Sequence, residues 1–201
     1  MKYKYIIGID EVGRGPLAGP VTVCAAAIPR GTKLDPLPNG VKLDDSKKLT
    51  ARSREAWAKK LKACGVIFAI SSVTPKVIDR INISKAANRA AERSLVRLAE
   101  KKGIPLKRSL IFLDGGLYID GGRTIIRADG RINAVKAASI LAKVRRDKYM
   151  KKLSLKYPKY GFEKHSGYGT QAHIAAIKKH GLSRVHRKSF CHAFQHHTVK
   201  K

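Results

Sequence analysis

The sequence predicts a mixed α/β domain in which helices pack on a β-sheet, and three observations favour this fold class. Short apolar segments rich in Val and Ile alternate along the chain with longer segments of helical periodicity. The 201 residues suit one domain, and a hydrophobic content of 43% is sufficient to fill one core. No Gly/Ser linker and no repeat divides the chain, so we expect a single domain over residues 1–201.

The first half of the chain is predicted to contain three strands and two helices. Thr50 and Ser84 each precede a helical pattern and carry hydroxyls that can cap a helix N-terminus. Gly103 and Pro105 end the second of these helices. The predicted strands cover residues 3–9, 20–28 and 66–73, and the predicted helices cover about 51–63 and 85–101.

The second half is predicted to contain two short strands followed by two helices. A long helix begins at Asn133, has an apolar face that includes Ala134 and Leu141, and ends before Pro158. A shorter helix ends at Gly181. The predicted strands cover 110–113 and 124–126, the predicted helices cover about 133–156 and 170–180, and residues 191–201 are expected to form a flexible tail.

The charge of the chain is high and unevenly distributed. The 43 Lys and Arg residues and the 14 Asp and Glu residues give a formal net charge of +29. Residues 131–201 carry 18 of the basic side chains and only two of the acidic ones. Because Lys and Arg neutralise phosphates and release counterions, this region is the expected nucleic-acid face. We expect Lys143, Arg146 and Lys188 among its phosphate contacts.

Other classes of function fit the composition less well. A membrane-surface protein calls for a basic amphipathic helix with aromatic anchors, but only 6% of the residues are aromatic. No apolar run reaches the length of a membrane span. The three cysteines lie far apart, form no metal or disulfide framework and suit a reducing cytoplasm. Five histidines lack metal-ligand spacing and are expected on the basic surface: His180, His186, His192, His196 and His197.

Four acids lie at the ends of predicted apolar strands, which is informative because acids are scarce in this chain. Asp10 and Glu11 follow the first strand, while Asp114 and Asp129 follow the two short strands. Each alone is compatible with an ordinary solvated residue, but four carboxylates at one sheet edge repel one another unless a cation neutralises them. Hard divalent ions such as Mg²⁺ prefer carboxylate oxygens. Such a cluster suits two-metal phosphoryl transfer.

Three further segments have both a structural and a functional interpretation. The tripeptide Gly13-Arg14-Gly15 is either a turn between strands or a place where a sugar-phosphate backbone approaches the main chain closely. Ser46 and Lys47 lie where a loop enters a helix, which is either a solvated charge run or a phosphate site. Tyr168 lies in a Gly-rich segment and is either a packing anchor or a ring that stacks on a sugar or base.

Taken together, these motifs resemble those of type 2 ribonucleases H, the ribonuclease HII family. They occur in the family's order between about residues 5 and 190. The matching segments are Gly8-Ile9-Asp10-Glu11-Val12-Gly13-Arg14-Gly15-Pro16-Leu17-Ala18-Gly19-Pro20, Asp45-Ser46-Lys47-Lys48-Leu49, Phe112-Leu113-Asp114-Gly115, Ala137-Ala138-Ser139-Ile140-Leu141-Ala142-Lys143-Val144, Arg146-Asp147, Tyr160-Gly161-Phe162, His165-Ser166-Gly167-Tyr168-Gly169-Thr170 and His186-Arg187-Lys188-Ser189-Phe190.

This resemblance implies a ribonuclease H-like fold: a central mixed β-sheet flanked by helices, with a helical C-terminal part. The sheet core over about residues 1–130 would carry the acids, and about 131–190 would form the basic nucleic-acid-binding part. The resemblance also implies endonucleolytic hydrolysis of RNA in RNA–DNA hybrids and at single ribonucleotides embedded in duplex DNA. We expect two Mg²⁺ or Mn²⁺ ions and cleavage 5′ to the ribonucleotide, which leaves a 3′-hydroxyl and a 5′-phosphate.

The resemblance carries roles over to individual positions. Four acids match the family's catalytic, metal-binding carboxylates: Asp10, Glu11, Asp114 and Asp129. Four residues match positions that contact the ribonucleotide, the first three by sensing its 2′-hydroxyl and the last by stacking on the following sugar: Gly13, Arg14, Gly15 and Tyr168. Three residues match positions near the nucleic-acid backbone: Ser46, Lys47 and Ser139. The sequence departs from the family around Asp129, where bacterial members often have Gly-Asp-Ser, and at Gly116, where Asn is common.

Two alternatives stay open at this point. A ribonuclease HIII-like enzyme would prefer longer hybrid tracts, but its motif lacks the Gly-Arg-Gly string, and Asp10 leaves no room for its usual N-terminal domain. A non-catalytic nucleic-acid-binding protein would be marked by loss of the acids, and all four are present. A cytoplasmic monomer that acts on nucleic acid, without a membrane, is the expected state.

Overall fold

The structure is a computed structural model and describes residues 3–194. Within that range the chain forms five strands, six helices and several short 3₁₀ turns. In chain order, the elements are β1 (Tyr5–Val12), β2 (Val21–Pro29), α1 (Ala51–Ala63), β3 (Ile67–Val73), α2 (Pro75–Ile81), α3 (Ile83–Lys102), β4 (Ser109–Asp114), β5 (Arg123–Ile125), α4 (Asn133–Lys156), α5 (Phe162–His165) and α6 (Gln171–His180).

The five strands form one mixed sheet in the order β3-β2-β1-β4-β5. The central strand β1 pairs antiparallel with β2 on one side and parallel with β4 on the other. In the parallel pair Ile9 lies opposite Leu113. The predicted α/β class with a central mixed sheet is therefore confirmed, and the register brings the C-terminal ends of β1 and β4 together.

Helices cover both faces of the sheet. Because successive side chains of a strand point to opposite faces, one strand contributes residues to the apolar clusters on both sides. Ala25 and Ala27 of β2 belong to an apolar cluster that includes buried residues of α3. Cys24 and Ala26 belong to a second cluster that includes Trp57 of α1 and buried residues of α4. Because both faces are covered, β2 is buried from Val21 to Ile28, which agrees with the apolar character of segment 20–28 in the sequence.

The N-terminal end of α4 lies directly on β1. An ideal Cβ atom built on Gly8 would lie only 2.0 Å from the carbonyl carbon of Ala134 and 2.2 Å from the backbone nitrogen of Val135. Glycine is therefore required at this position for steric reasons, independently of its dihedral freedom. The contact places the first turns of α4 beside the strand that carries Asp10.

The C-terminal part packs on the loop that follows β1. Leu17 and Ala18 of this loop share a third apolar cluster with Met150 of α4 and Phe162 of α5. Cys191, expected from the sequence at the start of a flexible tail, is buried in the same cluster, and His192–Phe194 forms a 3₁₀ turn. Residues 195–201 of the expected tail lie outside the described residues.

Most predicted elements are confirmed to within a few residues, and the differences have local causes. The Thr50 side chain caps α1 by accepting a hydrogen bond from the Ser53 N–H at 3.1 Å. The predicted cap of α3 at Ser84 is wrong, because Asn82 accepts from the Lys85 N–H at 3.0 Å. The sequence prediction also missed α2 and the single-turn helix α5.

Candidate active site

The four predicted acids lie at or near one edge of the sheet. Asp10 and Glu11 lie inside β1, which continues to Val12 through its pairing with β2. The expectation that the strand ends before these acids is therefore wrong. Only the ladder with β4 ends there, because its last pair is Ile9 with Leu113. Asp114 is the last residue of β4 and so follows the same pair.

Asp129 is held near this edge by Asp114. It lies in the 3₁₀ turn Ala128–Gly130, which follows β5. The Oδ1 atom of Asp114 accepts a hydrogen bond from the Ala128 N–H at 2.8 Å and a longer one from the Asp129 N–H at 3.4 Å. The turn begins after Arg127, which has a positive φ of 57°. One acid thus fixes the backbone that carries another.

Burial and mutual repulsion make the carboxylates difficult to ionise together. Burial raises the pKa of Asp10 well above its ordinary value, and the neighbouring charges of Glu11 and Asp114 raise it further, while Ser139 opposes the shift. Burial also raises the pKa of Glu11 to about 7, with Asp114 acting in the same direction and Arg14 against it. A bound cation would relieve this repulsion.

The donor chemistry of the edge fits hard divalent cations. One oxygen of Glu11, Oε2, is buried without a hydrogen-bond partner. The other, Oε1, lies 3.6 Å from the Arg14 guanidinium, and Asp129 Oδ2 lies 3.4 Å from Lys47 Nζ. Across residues 3–194, no three His, Cys, Asp or Glu side chains are already arranged as a group that could hold a metal ion. Three of the four acids influence one another electrostatically. Two of the four, Glu11 and Asp129, have a basic side chain within 4 Å.

Two buried arginines donate hydrogen bonds to backbone carbonyls of the segment after β1: Arg187 holds the turn Gly13-Arg14-Gly15, and Arg146 holds the residues that follow it. Arg187 donates from Nη2 to Gly13 O at 2.6 Å, from Nη1 to Arg14 O at 2.7 Å and from Nε to Gly19 O at 3.0 Å. Arg146 donates to Ala18 O at 3.3 Å and also to Pro20 O. Burial lowers the pKa values of Arg146 and Arg187 to about 10 and about 9, so both remain cationic at neutral pH.

Gly13 is required in this turn for two reasons. Its φ of +89° is a conformation that favours glycine, and an ideal Cβ would lie 2.6 Å from the Arg146 guanidinium carbon. The Arg14 side chain leaves the turn and donates to Gly116 O at 3.2 Å and to Ser84 Oγ at 3.1 Å. The guanidinium of Arg14 therefore links the turn to the loop after β4. The side chain leaves the last glycine of the turn exposed.

Tyr168 lies next to this turn. An ideal Cβ on Gly15 would be 3.7 Å from the Tyr168 Cε1 atom, and the residue is 47% exposed. Its loop is anchored to the segment after β1, because Gly167 O accepts a hydrogen bond from the Leu17 N–H at 2.8 Å. The structure thus brings the tyrosine and the Gly-Arg-Gly turn together and leaves the ring accessible.

The three residues expected near a nucleic-acid backbone divide into two groups. Ser46 and Ser139 are buried, and their hydroxyl oxygens lie 2.8 Å apart, so each hydroxyl has the other as a partner. Lys47 is exposed along most of its side chain and reaches Asp129. The structure therefore brings Ser139 to Asp10 and Lys47 to Asp129, with Ser46 behind them.

Two expectations about the basic surface are wrong. Arg146, expected among the phosphate contacts, is 1% exposed because it is bonded to backbone carbonyls, and the sequence assigned no role to Arg187. His186, expected on the surface, is also buried. His180 and His192 are exposed, while His196 and His197 lie outside the described residues. Composition alone cannot separate a buried cation from a surface one, since both read as basic.

A family model described as Ribonuclease HII matches residues 7–194. The chain belongs to the ribonuclease HII family. It is 42% identical over 192 residues to Ribonuclease HII of Chlorobium chlorochromatii (strain CaD3), which covers 94% of this chain and 90% of that protein. The chain is accordingly a ribonuclease H, a nuclease and hydrolase that acts on RNA-containing nucleic acid.

Solved structures support the ribonuclease H fold. Ribonuclease H2 from Pyrococcus horikoshii OT3 matches with a TM-score of 0.69 and 28% identity, over 92% of this chain and 93% of that one. Bst-RNase HIII in complex with Mn²⁺ matches with a TM-score of 0.67 over 94% of this chain and 68% of that one. At 19% identity, this second likeness shows the fold alone.

Membership of the ribonuclease HII family bears on both alternatives. A non-catalytic binding protein is wrong as a description of this chain, and the matching family model is that of ribonuclease HII rather than ribonuclease HIII. None of the helices within residues 3–194 has the length and apolar character needed to cross a bilayer.

Proposed function

We propose that this ribonuclease HII hydrolyses the RNA strand of RNA–DNA hybrids and cuts duplex DNA at single embedded ribonucleotides. The observation that carries the proposal is the juxtaposition of crowded, hard-to-ionise carboxylates with a glycine turn and an exposed tyrosine. Asp10 and Glu11 precede the Gly13-Arg14-Gly15 turn by only a few residues, and Tyr168 lies against Gly15. Chemistry and recognition of one nucleotide thus share one continuous surface.

The acids fit a divalent-metal site because their pKa values are raised and Glu11 Oε2 has no partner. Asp10, Glu11, Asp114 and Asp129 would hold the ions. Two Mg²⁺ or Mn²⁺ ions bound there would supply an activated water and charge stabilisation at the leaving oxygen. A neighbour of the same fold, Bst-RNase HIII, forms a complex with Mn²⁺. Lys47 and Arg14 neutralise Asp129 and Glu11 in the absence of ions.

The turn is the proposed reader of the ribose. RNA differs from DNA at one nucleotide only by the 2′-hydroxyl, so discrimination must contact that group. Gly15 carries no Cβ on the side that faces the Tyr168 ring and so leaves room there for a close approach, and Arg187 fixes the carbonyl directions of Gly13 and Arg14. A reader fixed in advance loses little conformational entropy when the substrate binds.

Tyr168 is proposed to stack on the sugar that follows the ribonucleotide. A deoxyribose fits against the ring, whereas a 2′-hydroxyl at that sugar would clash with it. The tyrosine thereby positions the RNA–DNA junction so that cleavage falls 5′ to the ribonucleotide, leaving a 3′-hydroxyl and a 5′-phosphate. Lys47, Ser46 and Ser139 would support the neighbouring backbone. We infer a single cytoplasmic domain that acts as a monomer in removing ribonucleotides from DNA.

The test is a digest of three labelled duplexes with purified protein. They contain one embedded ribonucleotide, a continuous RNA–DNA hybrid, or DNA alone, and each is incubated with and without Mg²⁺. We expect Mg²⁺-dependent cutting of the first two and none of the third. Cutting of the hybrid alone would favour ribonuclease HIII-like specificity, and cutting that leaves a 2′,3′-cyclic phosphate would refute the proposed mechanism.

A further inference from the structure

A chain of hydrogen bonds inside the C-terminal part ends on the backbone of Tyr168. His173 of α6 is buried, and its Nδ1 lies 2.8 Å from Tyr168 O. Its other nitrogen, Nε2, lies 3.1 Å from Nε2 of the buried His186. The Nδ1 atom of His186 lies 2.9 Å from the Ser183 backbone nitrogen and 2.8 Å from the Ser183 hydroxyl. Two buried histidines therefore connect Tyr168 to the loop after α6.

The fixed ends of the chain determine where the protons lie. A backbone N–H only donates, so His186 Nδ1 accepts from Ser183 and the neutral ring carries its proton on Nε2. His186 Nε2–H then donates to His173 Nε2. His173 therefore carries its proton on Nδ1, which donates to the Tyr168 carbonyl. One pair of tautomers satisfies every member, and a proton added to Nε2 of His173 would set two N–H groups against each other.

The surroundings of the pair favour neutral rings. The ring of His165 stacks on His173 with centroids 4.5 Å apart, and the edge of the Tyr160 ring faces His186 at 4.8 Å. Phe162 packs edge-on against His173 at 5.4 Å. Burial lowers the pKa values of both histidines, and repulsion from His165 acts on His173 in the same direction.

The same loop also reaches the Gly-Arg-Gly turn. His186 pairs with Ala18 in a β-bridge, Gly19 N–H donates to Val185 O at 2.8 Å, and the next residue, Arg187, holds Gly13 and Arg14. One short segment, residues 183–187, is therefore connected to both parts of the proposed ribonucleotide-binding site, the Gly13-Arg14-Gly15 turn and Tyr168. It holds the turn through Arg187 and Tyr168 through the two histidines.

We propose that His186 and His173 are positioning residues that set the placement of Tyr168 relative to the Gly13-Arg14-Gly15 turn. They act through the Tyr168 backbone, and they serve recognition of the RNA–DNA junction rather than bond cleavage. This inference rests on the proposed role of Tyr168. Tyr168 O also accepts a hydrogen bond from the Thr170 N–H at 2.9 Å, so loss of the histidine chain loosens the loop without releasing it entirely.

The first test measures the tautomers directly. In ¹⁵N-labelled wild-type protein at neutral pH, long-range ¹H–¹⁵N correlations report which imidazole nitrogen carries the proton. We expect Nδ1–H for His173 and Nε2–H for His186. A proton on Nε2 of His173, or a doubly protonated ring in either residue, would overturn the chain. This measurement needs no variant and so does not depend on whether a substituted protein folds.

The second test uses the ratio of two cleavage rates, that on a single embedded ribonucleotide divided by that on a continuous hybrid. His186→Phe keeps an aromatic ring and removes the hydrogen bonds to His173 and Ser183. We expect the ratio to fall about tenfold, since small misplacements of a positioning group have effects of this order or more. His186→Gln keeps a donor toward His173 and should retain the ratio. His192→Phe, at an exposed position, is the matched control and should leave the ratio unchanged.

The outcomes separate this inference from the proposed function. If the wild-type protein does not cut at a single ribonucleotide, or if Tyr168→Ala leaves the ratio unchanged, the proposed role of Tyr168 fails. If both behave as expected but folded His186→Phe keeps the wild-type ratio, the histidine chain alone fails. The double variant Tyr168→Ala/His186→Phe should show no lower ratio than Tyr168→Ala, because both changes affect the same contact.

Discussion

The carboxylate edge and the turn that follows it are adjacent in sequence but accommodate buried charge in opposite ways. At the edge, Asp10 and Glu11 have raised pKa values, and Glu11 Oε2 has no partner. At the turn, Arg146 and Arg187 are as deeply buried but donate hydrogen bonds to five backbone carbonyls of the segment from Gly13 to Pro20. The acids at the edge are therefore only partly compensated, by Arg14 and Lys47, whereas the arginines at the turn are hydrogen-bonded within the fold.

This contrast separates residues that act on stability from residues that act on chemistry. A buried cation whose N–H groups are hydrogen-bonded contributes to the folded state, and its removal leaves carbonyl oxygens without donors. A group whose charge is unpaired destabilises the folded state and is available to bind an ion. Variants of the two regions should therefore change stability in opposite directions.

The largest expected effect is at Arg187. Arg187→Met leaves the carbonyls of Gly13, Arg14 and Gly19 without their donors, and we expect the free energy of unfolding to fall by about 3–5 kcal/mol. Urea denaturation measures this change. Arg184→Met, at an exposed neighbouring position, is the control and should stay within about 0.5 kcal/mol of wild type. Similar losses in both variants would remove the distinction between built-in and surface cations.

The opposite behaviour is expected at Asp10. Asp10→Asn removes a charge that the ions need, and we expect cleavage to fall at least ~10²-fold while hybrid binding is largely kept. In metal-free buffer the melting temperature should rise, since a buried, repelled carboxylate is removed. Glu11→Gln and Asp114→Asn should behave alike, and Asp129→Asn should be milder. Near-normal turnover of Asp10→Asn would contradict its assignment as a metal ligand.

The free energy of unfolding should also depend on pH, because His186 is buried. Burial lowers the pKa of His186 to about 4 from an ordinary value of 6.5, so the unfolded chain binds more protons between these pH values. This contribution to stability is complete above about pH 6.5 and is lost as the pH falls toward 4. We expect a loss of about 2 kcal/mol between pH 7 and pH 5. The free energy of unfolding of His186→Gln should change less with pH across this range. That of His180→Gln, at an exposed site, should follow the wild-type pH dependence.

A smaller effect is expected at Tyr168, the residue proposed to stack on a sugar of the substrate. Tyr168→Ala should lower cleavage at a single embedded ribonucleotide about tenfold more than cleavage of a continuous hybrid, because only the former needs the junction to be located. Initial rates on the two duplexes give this ratio. Equal losses on both would mean that the tyrosine serves packing alone.

The smallest expected effect concerns the exposed basic side chains. If Lys188 contacts a phosphate, Lys188→Gln should reduce the slope of log affinity against log salt by about one. Binding of a hybrid to protein made catalytically inactive by Asp10→Asn measures the slope. Lys101→Gln, at the exposed C-terminal end of α3, is the control and should leave the slope unchanged.

The sequence predicts best what depends on neighbouring residues. The Thr50 cap and the limits of α4 follow from local patterns and are confirmed. The cap at Asn82 has a positive φ that joins α2 directly to α3, and no spacing rule for a single helix indicates it. The extension of β1 through Val12 depends on its partner β2, which contacts it only in the folded chain.

The candidate site shows the same division. The positions of Asp10 and Asp114 at one edge could be predicted, because parallel strands bring their C-terminal ends together. The roles of Arg146, Arg187 and His186 could not, because each is buried against backbone carbonyls or rings that are distant in sequence. A basic residue type does not indicate which partner the fold supplies.

The contact between Gly8 and Ala134 fixes the distance between strand β1 and helix α4. It joins the strand that carries Asp10 to the helix that carries Ser139 and Arg146, with no methyl group between the two backbones. Adding one methyl at Gly8 would require the helix to move by roughly 1.5–2 Å to restore ordinary carbon–carbon separations. The acids would then stay with their strand, while Arg146, which packs against Gly13 and holds the carbonyls of Ala18 and Pro20, would shift with the helix. Gly8 thus sets the spacing between the acids and the segment that includes the Gly13-Arg14-Gly15 turn, although it belongs to neither.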